Sequence, residues 1–140
     1  MTFRFSLESL LRLRRGEQRQ QEQVLQRINE QVSRIVRELH AIHLESLQTR
    51  RREPGLTGAE LHFNEQRLAI LESRRARAEM ELCQARERQS FALAEFERIW
   101  QRREALETLQ QRERQICLQQ EQRREQRGQD DAFLQRKWKR

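Results

Sequence analysis

The chain has 140 residues, of which 36% are charged and 35% hydrophobic, and its formal net charge is +7. That length limits it to one ordinary domain, and a mean hydropathy of −1.10 leaves too little apolar material for a thick globular core, though enough for a stripe along a helix. The excess of arginine permits contact with nucleic acid, anionic lipid or acidic protein but selects none of them, because Arg and Glu are interspersed rather than segregated.

The opening segment carries Phe3, Phe5, Leu7, Leu10, Leu11 and Leu13. Ser6 is the expected N-cap of a first helix, with Glu8 in its first turn, where a carboxylate favours the helix dipole. Arg14 to Gln23 is wholly polar and contains Gly16, a weak patch in the pattern. The stripe resumes as Leu25, Ile28, Val32, Ile35, Leu39 and Ile42. Its alternating steps of three and four are those of a coiled-coil seam.

Arg51-Arg52-Glu53-Pro54-Gly55-Leu56-Thr57-Gly58 is the only dense cluster of helix breakers, and it holds the single proline. A second helix has a well-marked start there. Thr57 as N-cap and Glu60 three residues on make a capping box, and Leu56 and Leu61 occupy the staple positions around it. Its seam runs Leu61, Leu68, Leu71, Ala78, Leu82, Ala85, Ala92, Phe96, Ile99 and Leu106 in one register. Asn64, Arg75, Gln89 and Arg103 also occupy core positions, and the alanines offer less apolar surface than leucine, by roughly 1–3 kcal/mol each.

The expected architecture is all-α. Two long helices form a single antiparallel coiled-coil hairpin, with helix 1 over about 6–51, a turn at 52–57, a longer helix 2 over about 58–135, and a frayed tail at 136–140. Reflecting the chain about Pro54-Gly55 sets Ile28 opposite about Glu81 and Leu7 opposite about Arg102. Residues after about Glu107 then have no partner in helix 1. A seam this imperfect predicts a marginal, supple hairpin whose stability depends on partners.

Catalysis finds no support, since no phosphate loop, no Ser/His/Asp arrangement and no Cys-x-x-Cys is present. His40, His43 and His62 fall near the turn, but no Cys or carboxylate completes a ligand set, so neither a metal nor a cofactor is expected. Cys83 and Cys117 read as small apolar fillers in a reducing compartment. No apolar run approaches the ~20 residues of a membrane span, and the opening residues have no hydrophobic segment of a secretion signal. The expectation is a soluble cytoplasmic protein, monomeric when free. Arg34–Glu38, Arg77–Glu81, Arg103–Glu107 and Glu95–Arg98 stand at intrahelical ion-pair spacings that neutralise charge locally, so no nucleic acid is expected as a partner. A basic helical nucleic-acid binder remains the alternative class. Phe63, Phe91, Trp100, Phe133 and Trp138, with Leu44, Leu47 and Ile70, either thicken the core or form exposed partner anchors.

The opening Phe3-Arg4-Phe5-Ser6-Leu7-Glu8-Ser9-Leu10-Leu11-Arg12-Leu13-Arg14 resembles the start of the flagellar export proteins of the FliJ family. The central Gly-containing turn, the late Leu106-Glu107-Thr108-Leu109 step and the acidic pair Asp130-Asp131 are similar as well. The resemblance implies a stalk that links the hexameric export ATPase FliI to the export gate FlhA and binds export chaperones, at the cytoplasmic face of the inner membrane and attached to it through partners. By matching positions, it implies an ATPase-facing set of Phe3, Phe5, Leu7, Leu10, Leu11, Leu106, Leu109, Asp130 and Asp131. The gate-facing set it implies is His40, Leu44, Leu47, Arg67, Leu71 and Arg74. The injectisome stalk of the YscO-like branch has the same layout.

Overall fold

The structure is a computed structural model and describes residues 3–51 and 54–138. Arg52 and Glu53 of the expected turn, and Lys139 and Arg140 of the expected tail, lie outside the described residues. The fold is all-α. Helix α1 spans Glu8–Arg50 and helix α2 spans Gly58–Trp138, 43 and 81 residues long. The two helices pack against each other, and the second is the longer, as the breaker cluster and the two stripes require. Helical structure continues through 136–138, where a frayed tail was expected.

Two compact units are distinguishable, one made of residues 20–96 and the other of 1–19 with 97–140. In the first, α2 begins as its sequence dictates. The Glu60 amide donates to Thr57 Oγ1 at 3.2 Å and the Thr57 amide donates to Glu60 Oε2 at 3.3 Å. These reciprocal bonds satisfy two of the backbone donors that a helix start leaves unpaired. Gly55 sits at φ 98°, a left-handed conformation that side-chain-bearing residues adopt only at a cost, so the chain reverses where Pro-Gly permits it.

The helix pairing in this unit is antiparallel. Gln21 Nε2 donates to the Ala92 carbonyl at 3.1 Å, Gln89 Nε2 donates to Asn29 Oδ1 at 2.6 Å, and Arg67 pairs with Glu45. Counting from Gln21 opposite Ala92, Ile28 faces Ala85, Ile35 faces Ala78 and Ile42 faces Leu71. The expected partner of Ile28, Glu81, is therefore replaced by a residue about one helical turn further on. Reflection about the turn ignores side chains. A shift of one turn keeps the same face inward and brings apolar residues rather than a carboxylate onto the isoleucines. Leu71, Ala78, Ala85 and Ala92 are the buried residues of α2, spaced at heptads, while Ile35 and Ile42 are buried on α1.

Those alanines are thus not weak points of the seam. Ala85 is wholly covered, and Ala78 and Ala92 are nearly so, with isoleucines or Gln21 of α1 opposite them. Each buried isoleucine contributes about 1.5–3 kcal/mol through removal from water. Leu61 departs from the expected seam and is exposed. The same register carries it past Arg50, where α1 has ended.

In the unit formed by 1–19 and 97–140, the chain enters α1 through non-helical residues Phe3–Leu7. The Glu8 amide donates to the Phe5 carbonyl at 3.2 Å, and the Leu11 amide donates to the Leu7 carbonyl at 2.9 Å. Leu7 accepts the first helical bond, so the cap position falls at Leu7 and not at Ser6. Phe5 and Leu11 are buried. Arg15 Nη2 lies 3.2 Å from Glu107 Oε1, and the Phe3 ring lies 5.7 Å from the Arg114 guanidinium carbon. Leu7, between them, runs beside the 107–114 stretch and not beside Arg102. Ser6 and Leu7 form a turn closed by the Glu8–Phe5 bond, and beyond it the pairing reaches Arg114 instead of stopping near Glu107. From 122 to 138 every side chain of α2 is exposed.

Candidate interaction surfaces

All nine residues of the expected ATPase-facing set fall in the unit of 1–19 and 97–140. The structure divides them by role. Phe5 and Leu11 are 5% and 0% exposed, so they hold the amino-terminal segment onto α2. Phe3, Leu10 and Leu106 are half-buried. Leu7 and Leu109 are exposed and present apolar surface that no described residue covers fully. Asp130 and Asp131 are exposed but stand some sixteen residues beyond Arg114, about 24 Å along the helix, so they form no common patch with Phe3.

The six expected gate-facing residues all lie within 20–96. Leu71 is 1% exposed and opposes Ile42, which makes it a packing residue. His40, Leu44, Leu47 and Arg74 are exposed, and the Arg67 guanidinium is engaged by Glu45 across the helix pair. Phe63, Phe91, Trp100, Phe133 and Trp138 are all exposed, which decides between core thickening and surface display in favour of display. Ile70 joins them.

Two features were not foreseen from sequence. A groove in the 20–96 unit has an apolar floor of Val24, Ile28, Phe91 and Ala92, with Arg88 and Glu95 on its rim. Val24 and Phe91 sit one step outside the seam, so a tally of heptad core positions passes over them. The second is a charged node around Arg103. This half-buried core-position arginine donates to Glu107 Oε2 at 2.7 Å and stacks on Trp100 at 5.9 Å. Glu107 also accepts from Arg15 of α1, so one carboxylate joins both helices. The Arg103 Nε is buried without a hydrogen-bond partner among the described residues. The stacked indole face offsets part of that loss. The spacing Arg103–Glu107 was legible from sequence; the Arg15 contact was not, because it depends on register.

Charge is distributed unevenly between the units. Residues 20–96 hold twelve acidic and twelve basic side chains, so the entire excess of +7 belongs to 1–19 and 97–140. Local mixing of Arg and Glu therefore neutralises one unit but not the other. His40 and His43 are exposed, His62 approaches Gln66 at 3.3 Å, and no group of three or more metal-ligating residues gathers among the described residues. No helix is long and apolar enough to cross a membrane among the described residues.

A family model described as flagellar FliJ protein matches residues 3–140. No curated protein and no solved structure matches the chain.

Proposed function

Since that match covers essentially the whole chain, the chain belongs to the FliJ family, and from that premise we propose that it is the stalk of the flagellar type III protein export apparatus. In this reading it couples the hexameric export ATPase to the export gate and binds export chaperones at the cytoplasmic face of the inner membrane. The family match is the observation that carries the reading. Two further features support it. The helices are unequal, and α2 runs from Arg114 to Trp138 beyond the position where Phe3 lies against it. The ATPase-facing and gate-facing sets inherited by resemblance each fall inside one compact unit.

Burial refines which residues are available to partners. Phe5, Leu11 and Leu71 are spent on holding the helices together, so contact with the ATPase falls to Phe3, Leu7, Leu10, Leu106 and Leu109, with Asp130 and Asp131 further along α2. Contact with the gate falls to His40, Leu44, Leu47, Arg67 and Arg74.

The test is capture of the purified export ATPase by the immobilised chain. Leu7→Asp combined with Leu109→Asp should reduce recovery at least tenfold, and circular dichroism of the variant shows whether its helices persist. Leu11→Asp makes a poor probe, since a charge at a fully covered site disrupts the packing itself. Equal recovery with the double variant and the wild type would defeat the site assignment.

A further inference from the structure

The groove of Val24, Ile28, Phe91 and Ala92 belongs to neither of the surfaces assigned above. Ala92 is buried and Ile28 half-buried, whereas Phe91 is 71% exposed. A phenylalanine ring therefore projects beside an apolar groove that its own chain does not fill. On α2, Gln84, Arg88, Phe91 and Glu95 follow at steps of four, three and four, so they share one face of the helix. That face carries a cation about one turn before the ring and a carboxylate about one turn after it. The unit that bears it, 20–96, has no net charge.

We propose that a second copy of this chain occupies the groove, in a twofold pair whose axis passes between Phe91 and Ala92. A contact of this kind needs one surface that is its own complement. Running two α2 helices antiparallel about that axis sets Phe91 of each copy over Ala92 of the other, and Arg88 of each over Glu95 of the other. Val24 and Ile28 then flank the incoming ring. A parallel pairing instead sets Arg88 on Arg88 and Glu95 on Glu95, which repels. The second copy thus supplies the ring, the shallow apolar site and both charges at the matching spacing, and the neutral unit adds no overall repulsion between copies. Glu95 also interacts within its own chain, so the charge pairs fix direction more than they add affinity. Burial of the two rings supplies the affinity. Gln84 to Glu95 covers about 16 Å of helix. A contact so small makes the pair weak and reversible. It departs from the monomer expected of the free chain, and this groove, which heptad counting passes over, is the reason.

The pairing does not rest on ATPase or gate binding, and each can fail alone. Sedimentation equilibrium of the 140-residue chain, run from about 10 µM to about 1 mM, should show a reversible monomer–dimer equilibrium. Phe91→Asp, at an exposed position, should weaken it about tenfold or more, with circular dichroism retained. Arg88→Glu and Glu95→Arg should each weaken self-association, because either variant alone places like charges across the axis. Mixed in equal amounts, those two variants should recover the dimer, since every facing pair is then opposite in sign. ATPase capture through Leu7 and Leu109 should be unchanged by Phe91→Asp. A chain that stays monomeric over this range, a dimer indifferent to Phe91→Asp, or no recovery on mixing would overturn the proposal. So would loss of ATPase or gate-protein capture by Phe91→Asp, which would assign the groove to that partner.

Discussion

Ile42 and Ala85 illustrate how a thin seam stays closed. Ile42 is 2% exposed and faces Leu71, while Ala85 has no exposed surface and faces Ile28. Large meets small at one and large meets large at the other, so each site has its own tolerance. Ile42→Ala leaves a cavity between two helices that cannot close further, and should cost about 2–5 kcal/mol in urea unfolding. Ala85→Leu has the reverse fault: the position is already wholly covered, and overpacking should cost about 1–3 kcal/mol. If Ala85→Leu instead stabilised the chain, the alanine would be a deficit in the seam and not a matched partner. Both measurements read the seam alone, because neither side chain reaches the surface.

At the scale of the helices, α2 is specified more firmly than α1. Its start has a proline, a left-handed glycine and a complete capping box within seven residues. Thr57→Ala removes the bond to the Glu60 amide and should lower stability by about 1 kcal/mol, detectable as a shift in the urea midpoint without change in slope. The start of α1 has no such box. Its cap falls at Leu7, an apolar residue, and the segment is instead held by Phe5 and Leu11 packing against α2. Tertiary contact replaces local chemistry there, which is why Ser6 was a reasonable expectation and the wrong residue. The polar run Arg14–Gln23, which interrupts the stripe, remains helical. Gln21 and Arg15 carry the inter-helix contacts through hydrogen bonds and an ion pair where leucines would otherwise pack.

For the molecule as a whole, the decisive property is the partition of charge. Net +7 spread evenly would steer weakly toward any polyanion, but here 20–96 is neutral and the other unit carries the whole excess. On the function proposed above, partners of the 20–96 unit would meet exposed Leu44, Leu47, Ile70 and the Val24–Phe91 groove without net electrostatic steering. On the same proposal, partners of the 1–19 and 97–140 unit would be steered by its excess positive charge. Screening lengths fall from about 10 Å at 0.1 M salt to about 3 Å at 1 M. Raising NaCl over that range should slow ATPase association at least tenfold while leaving gate association nearly unchanged, as surface plasmon resonance would measure. Equal salt dependence of the two would mean that the charge partition does not govern recognition.

The sequence by itself determined the helix content, the site of reversal, the capping box at Thr57 and Glu60, the longer second helix and the family. The first four follow from residue spacing or local hydrogen bonding, which act over a few positions; the family followed from a resemblance of motifs, which the family match bears out. Register, and with it the distinction between packing and display, came only from the tertiary structure. Heptad spacing states that Ile28 faces inward but not whether Glu81 or Ala85 meets it, since two helices displaced by one turn present nearly the same faces. Only the joint fit of isoleucines over alanines, with Gln21 bound to Ala92, selects one displacement. That choice buries Leu71 in the 20–96 unit; in the other unit Phe5 and Leu11 are buried, while Leu7 and Leu109 keep part of their surface exposed.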